Sequence, residues 1–158
     1  PRFAQAVVGY AELVNAGEPD DLAAALCHEA LALLGDDHPG CQARVLSALA
    51  NYHSVVLGDV RSGRPYADRA LVVASDDETR AEALWAVACS LLGTPEVAER
   101  ARVSEELPAC APPGTRRHVE AVRLAAHTHL ELGDRVAYDR SVAELAEERD
   151  AVRELGLL

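Results

Sequence analysis

Lysine is absent from all 158 residues, so each of the 15 basic side chains is an arginine. That absence removes the phosphate-binding loop of the form GxxxxGK[ST], in which a lysine reaches the outer phosphates, so any ATP hydrolysis by a parent protein belongs to another segment. Aromatic residues make up only 4% of the chain. Strands rich in aromatic and β-branched side chains are correspondingly not expected. No run approaches the roughly 18 to 20 apolar residues of a membrane span, because Arg, Glu, Asp or His interrupts every candidate. Four scattered cysteines, Cys27, Cys41, Cys89 and Cys110, show no CxxC spacing, and the chain opens on no signal-like segment. They are expected to be reduced packing residues of a cytoplasmic protein.

Positive charge is also scarce. With 26 acidic residues against 15 basic ones the formal net charge is -11. Nucleic-acid affinity comes largely from neutralising phosphates with Lys and Arg, so direct nucleic-acid contact is not expected. What is abundant is Ala, Leu and Val, within a 49% hydrophobic composition. That composition favours helices, and the length suits one domain, 1–158, with a core of its own.

Gly and Pro divide the chain into eight segments of helical periodicity. The first is expected from Arg2 to Ala16, stopping at Gly17. The second starts near Pro19 and ends at Gly35, and the third runs from Asp36, Asp37 and Pro39 to Gly58. The fourth starts around Pro65, with Ala67, Ala70, Leu71 and Ala74 facing inward. Ser75 and Glu78 have the spacing of a capping box, which opens the fifth, ending at Gly93. Thr94 and Pro95 read as a cap and a first-turn proline, giving a sixth helix that ends before Pro108. Cys110 to Gly114 is the longest loop signal. Thr115 caps a seventh helix that stops at Gly133, and Asp134 caps an eighth that reaches about Leu155.

These segments pair in a repeating way. Gly17, Gly58, Gly93 and Gly133 fall at intervals of 41, 35 and 40 residues. Gly58 and Gly133 are each followed by Asp, and the couple Ala30-Leu31 recurs as Ala70-Leu71. A helical hairpin used about four times is the economical reading, since one hairpin cannot cover its apolar side alone.

In Gly58-Asp59 with Ala70-Leu71, and in Gly133-Asp134 with Val142 and Leu145, the chain resembles the tetratricopeptide-like class. The resemblance implies an all-α, right-handed superhelical stack of about four antiparallel helix pairs. The family's large aromatic near the start of the first helix is missing, and Gly17 and Gly93 lack the following Asp. Leu34-Gly35-Asp36-Asp37-His38-Pro39, Ala43-Arg44-Val45-Leu46 and Leu57-Gly58-Asp59 are similar to the degenerate repeat region of large actinobacterial signalling ATPases, often ending in a LuxR-type DNA-binding domain. That likeness implies a fragment of a multidomain regulator. A start at Pro1 in helical pattern agrees with such a piece, and Leu157-Leu158 after Gly156 predicts a further helix and self-association through an apolar C-terminal edge.

Chemistry-bearing patterns are sparse. His127 and His129 stand about 200° apart on a helix and cannot chelate one ion together, and Cys27 and His28 diverge by about 100°. No metal site or cofactor is expected. There is no GxSxG elbow, and the acidic clusters Asp36-Asp37 and Asp76-Asp77-Glu78 sit where helix dipoles favour negative charge. No catalytic residue is assigned and no enzymatic activity is expected. The eighth helix, with Glu144, Glu147, Glu148, Asp150, Arg149 and Arg153, reads as a solvated outer face.

The remaining candidate is a groove lined by the first helix of each pair, open to a peptide or partner helix. Alignment on the pair-internal glycines places Asn15, Tyr52, Arg80, Ser90, Arg123 and His127 there, where the arginines suit an acidic tail and Tyr52 an amphipathic anchor. The expected function is a protein-interaction or signal-relay scaffold. Its partner is another protein, a peptide or a neighbouring domain of the same chain. The alternative is a small-molecule sensor whose ligand enters between the helix layers near Trp85 and Tyr52.

Overall fold

A computed structural model describes residues 1–14 and 19–148 of the chain. The described residues are all-helical: α1 (Arg2–Val14), α2 (Asp21–Leu34), α3 (Pro39–Asn51), α4 (Val60–Val73), α5 (Asp77–Ser90), α6 (Val97–Cys110), α7 (Arg116–Leu132) and α8 (Arg135–Glu147), with no strand among them. None of these helices is long and apolar enough to cross a membrane. The expected ends of the first helix at Gly17 and of the eighth near Leu155 lie outside the described residues, as do Arg149, Asp150 and Arg153.

Side-chain caps explain most of the helix starts. Thr115 Oγ1 accepts the His118 amide at 3.2 Å to open α7, and Asp134 Oδ1 accepts the Ala137 amide at 3.0 Å to open α8. Between them Gly133 takes φ 71°, a left-handed conformation that costs glycine little. Four expected starts move. Helix α4 begins at Val60, not near Pro65, because Asp59 accepts the Ser62 amide at 3.1 Å; Pro65 then lies inside the helix. In α5 the box forms one residue later than Ser75 and Glu78: Asp76 accepts the Thr79 amide at 2.8 Å, and Thr79 Oγ1 accepts the Asp76 amide at 3.3 Å. Glu78 is thereby released to meet Arg44 at 2.8 Å. Helix α6 starts past Thr94-Pro95, with Glu96 at the cap position, and continues through Pro108 to Cys110. Similarly Asp20, not Pro19, marks the entry to α2, accepting the Leu22 amide at 2.9 Å.

The chain forms two compact units, 1–93 and 94–158. In the first, α1, α3 and α5 pack in a row, while α2 contacts α1 and α3, and α4 contacts α3 and α5. That is a two-layer stack of consecutive hairpins. Helix α3 is the centre of it, buried from Val45 to Ala50. One apolar cluster joins Ala4, Val7, Ala11, Cys27, Ala30, Leu34, Val45, Ala48 and Leu49, and another joins Leu46, Ala70 and Ala83. The alanines let the backbones approach closely, and each buried Leu or Val contributes about 1.5–3 kcal/mol. Beyond Asn51, α3 continues into a π-helical turn, Tyr52–Val56, before Gly58 reverses the chain at φ 67°.

In the second unit α7 packs against both α6 and α8. Its buried face carries Val119, Ala121, Val122, Leu124, Ala125 and Thr128. Thr128 Oγ1 meets Ser104 Oγ of α6 at 3.1 Å, a fully buried hydroxyl pair, while Ser104 Oγ also reaches the Arg100 carbonyl at 2.8 Å. A buried polar pair satisfied in this way favours one register of the two helices over a shifted one.

Candidate functional site

The groove residues expected from the sequence go to different places. Asn15 lies outside the described residues. Tyr52 and Ser90 are interior residues and line no open face in this structure. Tyr52 opens the π-helical turn with its ring edge-on to His53, 5.9 Å away. Burial raises its phenol above the ordinary value, and the charges of Asp21 and Asp20 add to that. Ser90 Oγ donates to the Val87 carbonyl at 2.7 Å within its own helix. The physical reason is shared: α3 and α5 are enclosed by neighbours, so the sides expected to stay free are covered. Arg80 is half-buried on α5 of the first unit.

Arg123 and His127 are exposed, one helical turn apart on α7. Spacing explains their company. Residues 116, 120, 123, 127, 130 and 131 fall within roughly 100° of arc at 3.6 residues per turn. Of these Arg116, Arg123, His127, Leu130 and Glu131 are exposed and Glu120 is half-buried. Neither α6 nor α8 needs this arc, because both bury the opposite side of α7. The pattern of i, i+4, i+7, i+11 and i+14 was present in the sequence and identifies Arg116 and Leu130 as further members.

The charges along the stripe are arranged unequally. Glu120 is held by Arg116 Nε at 2.8 Å and by Arg117 at 2.8 Å. Glu131 accepts from Arg100 of α6 and lies 3.5 Å from His127 Nδ1. Both carboxylates are therefore occupied from within the unit. Arg123, between them, has no ion-pair partner among the described residues. Arg100 is a buried guanidinium, 2% exposed, a placement that its sequence context does not announce.

A second polar joint closes the far end of α7. His118 Nδ1 stands 3.1 Å from the Ala111 carbonyl, and its Nε2 stands 3.2 Å from Glu144 of α8. Glu148 Oε2 accepts the Gly114 amide at 3.2 Å. Because a carbonyl oxygen only accepts, Nδ1 is the donor there. This joint ties the 111–115 loop to both helices and leaves the stripe untouched.

Elsewhere the chemistry is muted. No group of three His, Cys, Asp or Glu among the described residues is placed to hold a metal ion. Burial pushes the Cys27 thiol up to about 11, which suppresses its thiolate. His53 stacks on Tyr66 at 5.5 Å and His28 meets the same ring edge-on at 5.9 Å, a surface contact joining α2, α4 and the π-helical turn. Comparison with family models, curated proteins and solved structures gives no match for this chain.

Proposed function

We propose that this chain is a helical-repeat scaffold that holds a protein or peptide partner, or a neighbouring domain, and relays a signal within a multidomain bacterial regulator. The uncovered stripe of α7 carries the reading. A helix flanked on two sides, with a polar and partly apolar third side left open, is a surface on which another helix or an extended peptide can lie. Leu130, 60% exposed at the end of that stripe, gives it an apolar contact point beside the cations. The two-layer stack of the first unit supports the tetratricopeptide-like part of the proposal.

The test is site-specific photo-crosslinking in the intact parent protein, in its own host. A crosslinker at position 123 or 127 is expected to capture a partner chain or another domain. The same group at Val72 of α4, an 84% exposed position of the first unit, serves as the reference. Equal capture from all three positions, or none from 123 and 127, overturns the proposal.

A further inference from the structure

The charge placed on α7 says what kind of partner fits it. The chain as a whole carries a formal charge of -11, yet both glutamates of the stripe are met by cations of the same unit, Glu120 by Arg116 and Arg117 and Glu131 by the buried Arg100 of α6. Each glutamate is already engaged by two nitrogen-bearing side chains, so the stripe offers little negative charge to an incoming surface. Arg123 is an exposed cation of the stripe that no described carboxylate meets. Its planar fork suits a bidentate carboxylate. One helical turn on lies His127, and a further turn on lies Leu130.

From these observations we infer that α7 binds an acidic amphipathic helix of another protein or domain, with a carboxylate on Arg123 and a large aliphatic side chain against Leu130. The inference rests on the scaffold reading and names the partner chemistry for the same surface. Arg116 to Leu130 spans about 21 Å, which a partner helix of roughly 14 or 15 residues covers when it lies alongside. A basic or neutral segment leaves Arg123 unpaired.

Fluorescence anisotropy on the full chain tests this with three labelled 15-residue helical peptides: one with Glu facing Leu in an amphipathic pattern, one with Lys in place of Glu, and one with Glu but no Leu. The Glu/Leu peptide is expected to bind, and its affinity to fall at least about tenfold in Arg123→Glu and severalfold in Leu130→Asp. Binding weakens as salt rises, because exposed charges are screened beyond about 8 Å at physiological ionic strength. Both positions are exposed, and unchanged melting of the variants shows that the unit remains folded. Equal binding of the Lys peptide, or indifference to Arg123→Glu, overturns the inference. So does a chain that dimerises through α7, seen as a mass by sedimentation that falls to the monomer in Arg123→Glu. A crosslinked partner from position 123 that proves basic sinks the acidic-helix assignment alone and keeps the scaffold.

Discussion

Gly63 of α4 lies so close to the end of α3 that a Cβ added to it would stand 2.1 Å from Ser54 Oγ and 2.8 Å from the Ala50 carbonyl oxygen. Ser54 sits in the π-helical turn, and the wider turn and the missing side chain together let the two helices meet there. Two opposing effects bear on Gly63→Ala. Helix propensity favours alanine by up to about 1 kcal/mol, whereas overpacking a closed contact costs about 1–3 kcal/mol. The second wins here because the Ala50 oxygen belongs to the backbone and cannot swing aside. Gly9 of α1, with nothing within 4 Å of the added atom, is the control. Gly63→Ala is expected to lower the urea midpoint and Gly9→Ala to raise it slightly. If both shift in the same direction, the close approach of α3 and α4 is not as described.

Removing His118 separates three elements at once. His118→Ala leaves the Ala111 carbonyl and Glu144 without their ring partner, and nothing of similar shape replaces the imidazole. Loss of such buried hydrogen bonds costs about 1–3 kcal/mol. Amide exchange is expected to speed up in α8 and the 111–115 loop while α1 to α5 stay protected. Uniform acceleration over both units, or none in α8, defeats this account of the joint.

Acid lability follows from the caps. Asp76 is held below the ordinary carboxylate range first by the Thr79 amide and then by the Thr79 side chain; Asp59 by the Ser62 side chain and then its amide; Asp20 by the Tyr10 hydroxyl and then the Leu22 amide. A carboxylate whose folded value is depressed stabilises the fold above its unfolded value, about pH 3.9, and that contribution is lost as pH falls through the folded value. The melting temperature is expected to decline on acidification below about pH 4. Asn caps a helix without a titrating charge, so a chain carrying Asp20→Asn, Asp59→Asn and Asp76→Asn is expected to show a shallower acid slope. An identical slope in that chain places the sensitive groups elsewhere.

How legible this was from sequence depended on where each residue acts. Thr115, Gly133 and Asp134 do their work within one turn of themselves, so the bounds of α7 and the start of α8 followed directly. Prolines misled: Pro65 and Pro108 were expected to mark boundaries, but Asp59 and the continuing ladder of α6 set the helices around them. Ser75 and Asp76 are both competent caps, and only the pairing with Thr79 chose between them. At the surface, Arg123 and His127 were placed by alignment on the pair-internal glycines, and both are exposed on α7. The same alignment misplaced Tyr52 and Ser90, since their burial depends on which helices enclose α3 and α5, a property of the assembled stack. Arg100 was hidden for the same reason, as nothing local marks one arginine among fifteen as buried.

That buried arginine gives the last prediction. The Arg100 side chain is 3% exposed and meets Glu131, whose side chain is 39% exposed, so the pair has one desolvated end and one wet end. Removing the wet partner takes a carboxylate away from a desolvated guanidinium, whereas replacing the buried partner by an apolar side chain removes the desolvation cost along with the attraction. Glu131→Ala is therefore expected to destabilise the second unit by up to about 3 kcal/mol, and Arg100→Met by distinctly less. The double variant Arg100→Met with Glu131→Ala is expected to lie close to Arg100→Met alone, since the buried cation that Glu131 attracts is gone. Denaturant midpoints of the four chains form the cycle. If Glu131→Ala costs no more than Arg100→Met, or if the two effects simply add, the contact is an ordinary solvated ion pair and α6 is held to α7 by the Ser104–Thr128 pair and apolar packing alone.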